Sequence, residues 1–131
     1  MFPEIKKELE ELNIGIVYLF GSRAQGLAKK DSDMDIGIVF REPVENTSLL
    51  PIYEKLYSLF LTANRKQKAE VDIVFLQSAP LALQFNAIQY GRVAYEISAK
   101  FRMAYEEKTM LLHSDFEPVA KEFDKMVLAR I

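Results

Sequence analysis

Three short apolar runs, Ile14 to Phe20, Asp33 to Phe40 and Glu70 to Leu76, set the limits on what this chain can fold into. Each is rich in β-branched or aromatic residues and too short for an ordinary helix, so each predicts a strand. The first stops at Gly21-Ser22, where glycine permits a tight turn. The second alternates, with Met34, Ile36, Ile38 and Phe40 on one face and Asp33, Asp35, Gly37 and Val39 on the other. The third carries Asp72 on the face opposite Val71, Ile73 and Phe75.

Between and around these runs the apolar period changes to that of a helix. Ile5, Leu9 and Leu12 predict a short amphipathic helix, and Arg23 to Ala28 a brief one. Leu49, Tyr53, Leu56 and Phe60 predict a helix from about Ser48 to Ala63, with Pro51 tolerated in its first turn. Ser78 is placed to cap a helix running through Gln89, with Pro80 in its first turn, Gly91 at its end and Leu81, Phe85 and Ile88 buried. Val93 to Ile97 predicts a fourth strand. Two helices close the chain, about Ala99 to Leu112 and Asp115 to Arg130, with Ser114 and Glu117 spaced as a capping box between them. The order predicts an α/β (α+β) fold: one domain over residues 1–131, a small mixed sheet flanked by helices (core 14–97), and a C-terminal helical hairpin (99–131).

Composition narrows the function classes. At 131 residues the chain can bury one core. A net charge of -2 and a pI near 5.5 speak against a broad basic surface, so direct nucleic-acid binding is not expected. There is no cysteine, which removes disulfides, thiolate metal sites and a thiol nucleophile. The charged N-terminal dozen lacks the apolar core of a signal peptide, and no stretch approaches the roughly 18 apolar residues of a membrane span. A cytoplasmic protein without a membrane role is the expectation.

The informative stretch is Leu19-Phe20-Gly21-Ser22-Arg23, with ten residues separating Ser22 from Asp33, followed by Asp33-Met34-Asp35. Two aspartates at i and i+2 share a strand face with Cα atoms roughly 7 Å apart. Pointed into one space, they can hold two divalent cations about 3.5–4 Å apart; alone, such a pair is more often solvated surface charge. Gly21-Ser22 at a strand end reads, when alone, as an ordinary turn with Ser22 as a helix cap, and the same backbone N–H groups and hydroxyl can also hold phosphate oxygens. Asp72 sits in an otherwise apolar strand, where an acid needs a reason. A third ligand and proton acceptor is one reason, and an edge position facing water is the other.

Taken together, Gly-Ser, ten residues, Asp-x-Asp and a later strand with a third acid resemble the DNA polymerase beta-like nucleotidyltransferase superfamily. With so short a chain the protein looks like the minimal nucleotidyltransferases, and the likeness covers Ile14 to Ile97. The resemblance implies that Asp33 and Asp35 bind two Mg2+ ions, and that Asp72 ligates the catalytic one and helps deprotonate the acceptor hydroxyl. It implies that Gly21 and Ser22, with Arg23 nearby, hold the triphosphate of ATP. Relatives of this size resemble the antitoxin half of HEPN/MNT toxin–antitoxin pairs, which implies transfer of AMP, or of another NMP, to a tyrosine of a partner HEPN toxin. Relatives often read Gly-Ser-Arg-x-Arg-Gly, whereas this chain has Gln25 in place of the second arginine. Gln25 donates a hydrogen bond but brings no charge; Arg23, Lys29 or Lys30 either compensate or are solvated loop charges, the usual reading for the two lysines.

Other residues read as structure. His113, the lone histidine, is expected to be a polar residue near a helix end, and Arg65-Lys66-Gln67-Lys68 a solvated loop. Tyr53, Tyr57, Phe60, Phe101 and Tyr105 follow helical stripes and are expected in the core. Two other functions compete: a catalytically weak module that neutralises a partner by docking, supported by Gln25, and a small-molecule nucleotidyltransferase, for which the chain has little spare length.

Overall fold

A computed structural model describes residues 3–21, 34–63 and 71–129. A 3-10 turn over Pro3–Ile5 leads into α1 (Lys6–Glu11), then β1 (Ile14–Phe20), β2 (Met34–Phe40), α2 (Asn46–Ala63) and β3 (Val71–Phe75). A second 3-10 turn, Leu76–Ser78, precedes α3 (Leu81–Tyr90), β4 (Arg92–Glu96) and α4 (Ala99–Ala129). The strands form one mixed sheet in the order β3-β2-β1-β4. β1 runs antiparallel to β2 and β4, and β2 runs parallel to β3.

The strand boundaries follow the apolar runs because both sheet faces are covered. β1 is buried at every position, as a central strand between two helical layers must be. Val17, Leu19, Ile36 and Ile38 meet α1 and α2 through Leu9, Leu56 and Phe60. Ile16, Tyr18, Phe20 and Val39 meet Leu76 and α3, with Phe101 and Tyr105 of α4 packed against them. Each fully buried isoleucine here contributes about 1.5–3 kcal/mol by leaving water. Gly37 is small for a reason: a Cβ there would stand 2.7 Å from Leu76 Cδ1, so the absent side chain lets the second layer seat on the sheet.

Side chains fasten the far end of β2 and the α4 layer. The Phe40 N–H donates to Gln77 Oε1 at 2.7 Å, and Gln77 Nε2 donates back to the Phe40 carbonyl at 3.0 Å. The buried Tyr18 hydroxyl donates to Glu106 Oε1 at 2.9 Å, while Arg102 bridges Glu106 and Glu96. The Tyr105 hydroxyl donates to Gln84 Oε1 at 2.7 Å, tying α4 to α3.

The structure corrects several expectations. The C-terminal hairpin is absent, because α4 runs unbroken from Ala99 to Ala129. The Leu112–Asp115 junction holds no glycine, and serine and aspartate cost a helix only a few tenths of a kcal/mol each. The Ser114/Glu117 spacing therefore lies inside a helix that passes through it, Pro118 included. α2 starts two residues before the predicted Ser48, which puts Pro51 in its second turn at the cost of one backbone hydrogen bond. Ser78 belongs to the 3-10 turn, and Pro80, with φ -55° and ψ 145°, is the N-cap of α3. The buried residue of α3 is Ala87 rather than Leu81, Phe85 or Ile88, which are half-buried. His113 lies within α4 and stacks on Phe85, ring centroids 4.0 Å apart. Tyr57 is partly exposed and stacks on Tyr53.

Candidate active site

Two strand starts and one strand end meet at one end of the sheet. Antiparallel pairing sets Phe20, the last residue of β1, opposite Asp35 near the start of β2. Parallel pairing sets Asp35 beside Asp72. Residues paired this way point to the same face, and adjacent strands lie about 4.8 Å apart. The two carboxylates therefore stand side by side on the face that carries Phe20 and, further along, Gly37 and Val39.

Gly21 closes the corner. Its φ of +83° lies in the left-handed region, which glycine enters without the Cβ penalty that other residues meet. A Cβ built on it would overlap Asp35 Oδ2 and come within 3.1 Å of Asp35 Cγ. The turn after β1 is thus pressed against the Asp35 carboxylate, and any side chain at 21 would fill that space. Asp35 is half-buried and Asp72 exposed. β3 is an edge strand, so Asp72 does occupy the bland edge position the sequence left open. Its register with Asp35 sets it apart from a solitary surface acid.

Ser22, Arg23 and Asp33 lie outside the described residues, as do Gln25, Lys29, Lys30 and the basic segment from Arg65 to Lys68. Of the predicted site residues, the structure brings together Gly21, Asp35 and Asp72. Among the described residues no cluster of three acids or histidines forms a metal site. The donor chemistry nonetheless fits a hard cation: two carboxylates in register, with Asp33 two residues before Asp35 in the chain, make an all-oxygen set of the kind magnesium takes. Two like charges one strand spacing apart also gain from a cation between them.

Two concavities lined by described residues lie elsewhere. A groove of about 710 Å³ separates α1 from α2, and one of about 520 Å³ sits at the opposite end of the sheet, against Phe40 and Phe75. Neither is lined by Asp35 or Asp72. Tyr90, the last residue of α3, is 51% exposed.

The family described as polymerase beta, nucleotidyltransferase, matches residues 3–100. The protein adenylyltransferase MntA of Shewanella oneidensis is 30% identical over 77 residues, which make up 59% of this chain and 50% of that one. The chain therefore matches about half the length of that curated relative. A chain of a toxin–antitoxin crystal structure with AMP-PNP superposes with a TM-score of 0.70 at 23% identity, covering 95% of this chain and 96% of its own. A chain of the tri-AMPylated Shewanella oneidensis HEPN toxin in complex with MNT antitoxin superposes with a TM-score of 0.63 at 17% identity, covering 98% and 99%. At these identities the likeness of the solved structures is one of fold. Among the described residues no helix is long and apolar enough to cross a membrane.

Proposed function

This chain belongs to the polymerase beta nucleotidyltransferase family, and on that premise we propose that it transfers AMP from ATP to a hydroxyl of a partner protein. The observation that carries the reading is the corner of Gly21, Asp35 and Asp72, where a left-handed glycine turn abuts one of two carboxylates held in strand register. The acceptor is a tyrosine of a HEPN-type toxin, and the chain acts as the antitoxin. This is supported by the MntA relative's description as a protein adenylyltransferase and by the AMPylated HEPN toxin named in one of the similar structures.

Each residue has a distinct task. Gly21 and Ser22 present backbone N–H groups to the β- and γ-phosphates, with Arg23 adding charge, as a glycine turn at a strand end is suited to do. Asp35 and Asp72, together with Asp33, would hold two magnesium ions, which when bound neutralise the charge on the attacking and leaving oxygens. Asp72 accepts the proton of the incoming hydroxyl, for which its exposed edge position gives an acceptor room to approach. The hydroxyl attacks the α-phosphorus in line and pyrophosphate leaves.

Incubation with α-labelled ATP, magnesium and the HEPN-type product of a neighbouring gene tests this reading. Label is expected on a tyrosine of the partner and is lost with Asp35→Asn. Label that appears elsewhere but not on the partner rejects the acceptor. Full neutralisation of the partner by an Asp33→Asn/Asp35→Asn double variant would favour the docking function that Gln25 keeps open.

A further inference from the structure

We infer that Tyr90 is the platform on which the nucleobase of the bound nucleotide stacks. The inference rests on the nucleotidyl-transfer reading and adds to it the element that recognises the base.

α3 lies on the sheet face that carries the carboxylates, because Leu83, Ala87 and Ile88 pack with Tyr18 and Phe20, and Phe20 is paired with Asp35. Leu83, Ala87 and Tyr90 fall at spacings of four and three along one helical stripe. Going up that stripe, Leu83 is half-buried and Ala87 fully buried, but Tyr90 is 51% exposed. The last turn of α3 reaches the end of β1, since Gly91 lies against the Leu19 carbonyl, one residue before the terminal Phe20.

The position of that turn is fixed. The Gly91 N–H donates to the Ala87 carbonyl at 2.9 Å, and a Cβ at Gly91 would stand 3.0 Å from the Leu19 carbonyl oxygen. Arg92 then pairs with Leu19. Tyr90 thus ends a helix that lies on the carboxylate face, next to Gly91, which is held against Leu19 two residues before Gly21. About half of the Tyr90 side chain is open to solvent. Stacking suits it, since every nucleobase offers a π-face, and a rigid two-torsion side chain loses little entropy in ordering.

The test compares binding of magnesium–ATP and of inorganic tripolyphosphate to the full chain by calorimetry. Tyr90→Ala is expected to weaken ATP about tenfold or more and leave tripolyphosphate, which has no base, unchanged. Tyr90→Phe, which keeps the π-face, should bind ATP as the wild type does. The exposed position leaves folding intact, which a thermal melt checks. Equal loss for both ligands, or unaltered ATP binding by Tyr90→Ala, overturns the inference. A wild-type chain that binds neither ligand overturns the transfer reading beneath it.

Discussion

Replacing Gly21 with alanine separates the geometry of the corner from the stability of the fold. The backbone at φ +83° costs a non-glycine residue about 1–2 kcal/mol. For a domain of this size that lowers the melting temperature by roughly 3–10 °C. The second effect is local: the new methyl group overlaps Asp35 Oδ2, so the carboxylate must retreat on the order of 1 Å to restore contact distance. A displacement of that size at a reacting group costs about 100-fold in rate. The assay is kcat/KM for AMP transfer at a temperature well below the melt, alongside circular dichroism. Gly15→Ala serves as control, since its methyl meets the Phe101 ring, at 2.8 Å from Cζ, near the opposite end of β1. It should destabilise the fold while leaving transfer per folded molecule intact. Wild-type kcat/KM in Gly21→Ala, or equal loss in both variants, would refute the reasoning.

Three further outcomes follow from the same contacts. Asp72→Asn should lower transfer about 100-fold or more. Without divalent ions it should melt at or above the wild-type temperature, since it relieves repulsion across the Asp35–Asp72 register; added magnesium should raise the wild-type melt and not the variant's. Burial, then Glu106, raises Tyr18 well above its usual value of 10.0, and burial pushes Tyr105 up to about 12. The folded chain keeps these protons where the unfolded chain releases them, so stability present in full below pH 10.0 falls between 10.0 and about 12. Alkaline melts of Tyr18→Phe should show a shallower fall, and an identical slope would count against the Tyr18 contribution. Gln77→Ala removes both hydrogen bonds to the Phe40 backbone, at a cost of about 1–3 kcal/mol in urea unfolding. An unshifted midpoint would show that water replaces them without loss.

The strands were legible because their signal is local. Ile14–Phe20 is bounded by the turn residues Asn13 and Gly21, and the alternation of Met34 to Phe40 marks both its length and its faces. The candidate site was legible as a set of residue types, yet the sequence could not say that Asp72 stands level with Asp35. That depends on the β2–β3 register, a long-range fact set by the packing of α2 between them. Helix ends were read less well. At Ser114 a capping signature competed with helix propensity, and no turn residue was present to break the run. At Ser78 the 3-10 turn took the residue that would have capped α3. Tyr90 does not stand out in the sequence, because only the fold brings Gly91, the residue after it, against Leu19 near the end of β1.

The most direct measurement of the central claim is anomalous diffraction from crystals grown with manganese and a non-hydrolysable ATP analogue. The account predicts manganese within coordination distance of Asp35 and Asp72, with the triphosphate against the Gly21 turn. Manganese bound away from both carboxylates, or a triphosphate that leaves Gly21 untouched, would contradict it.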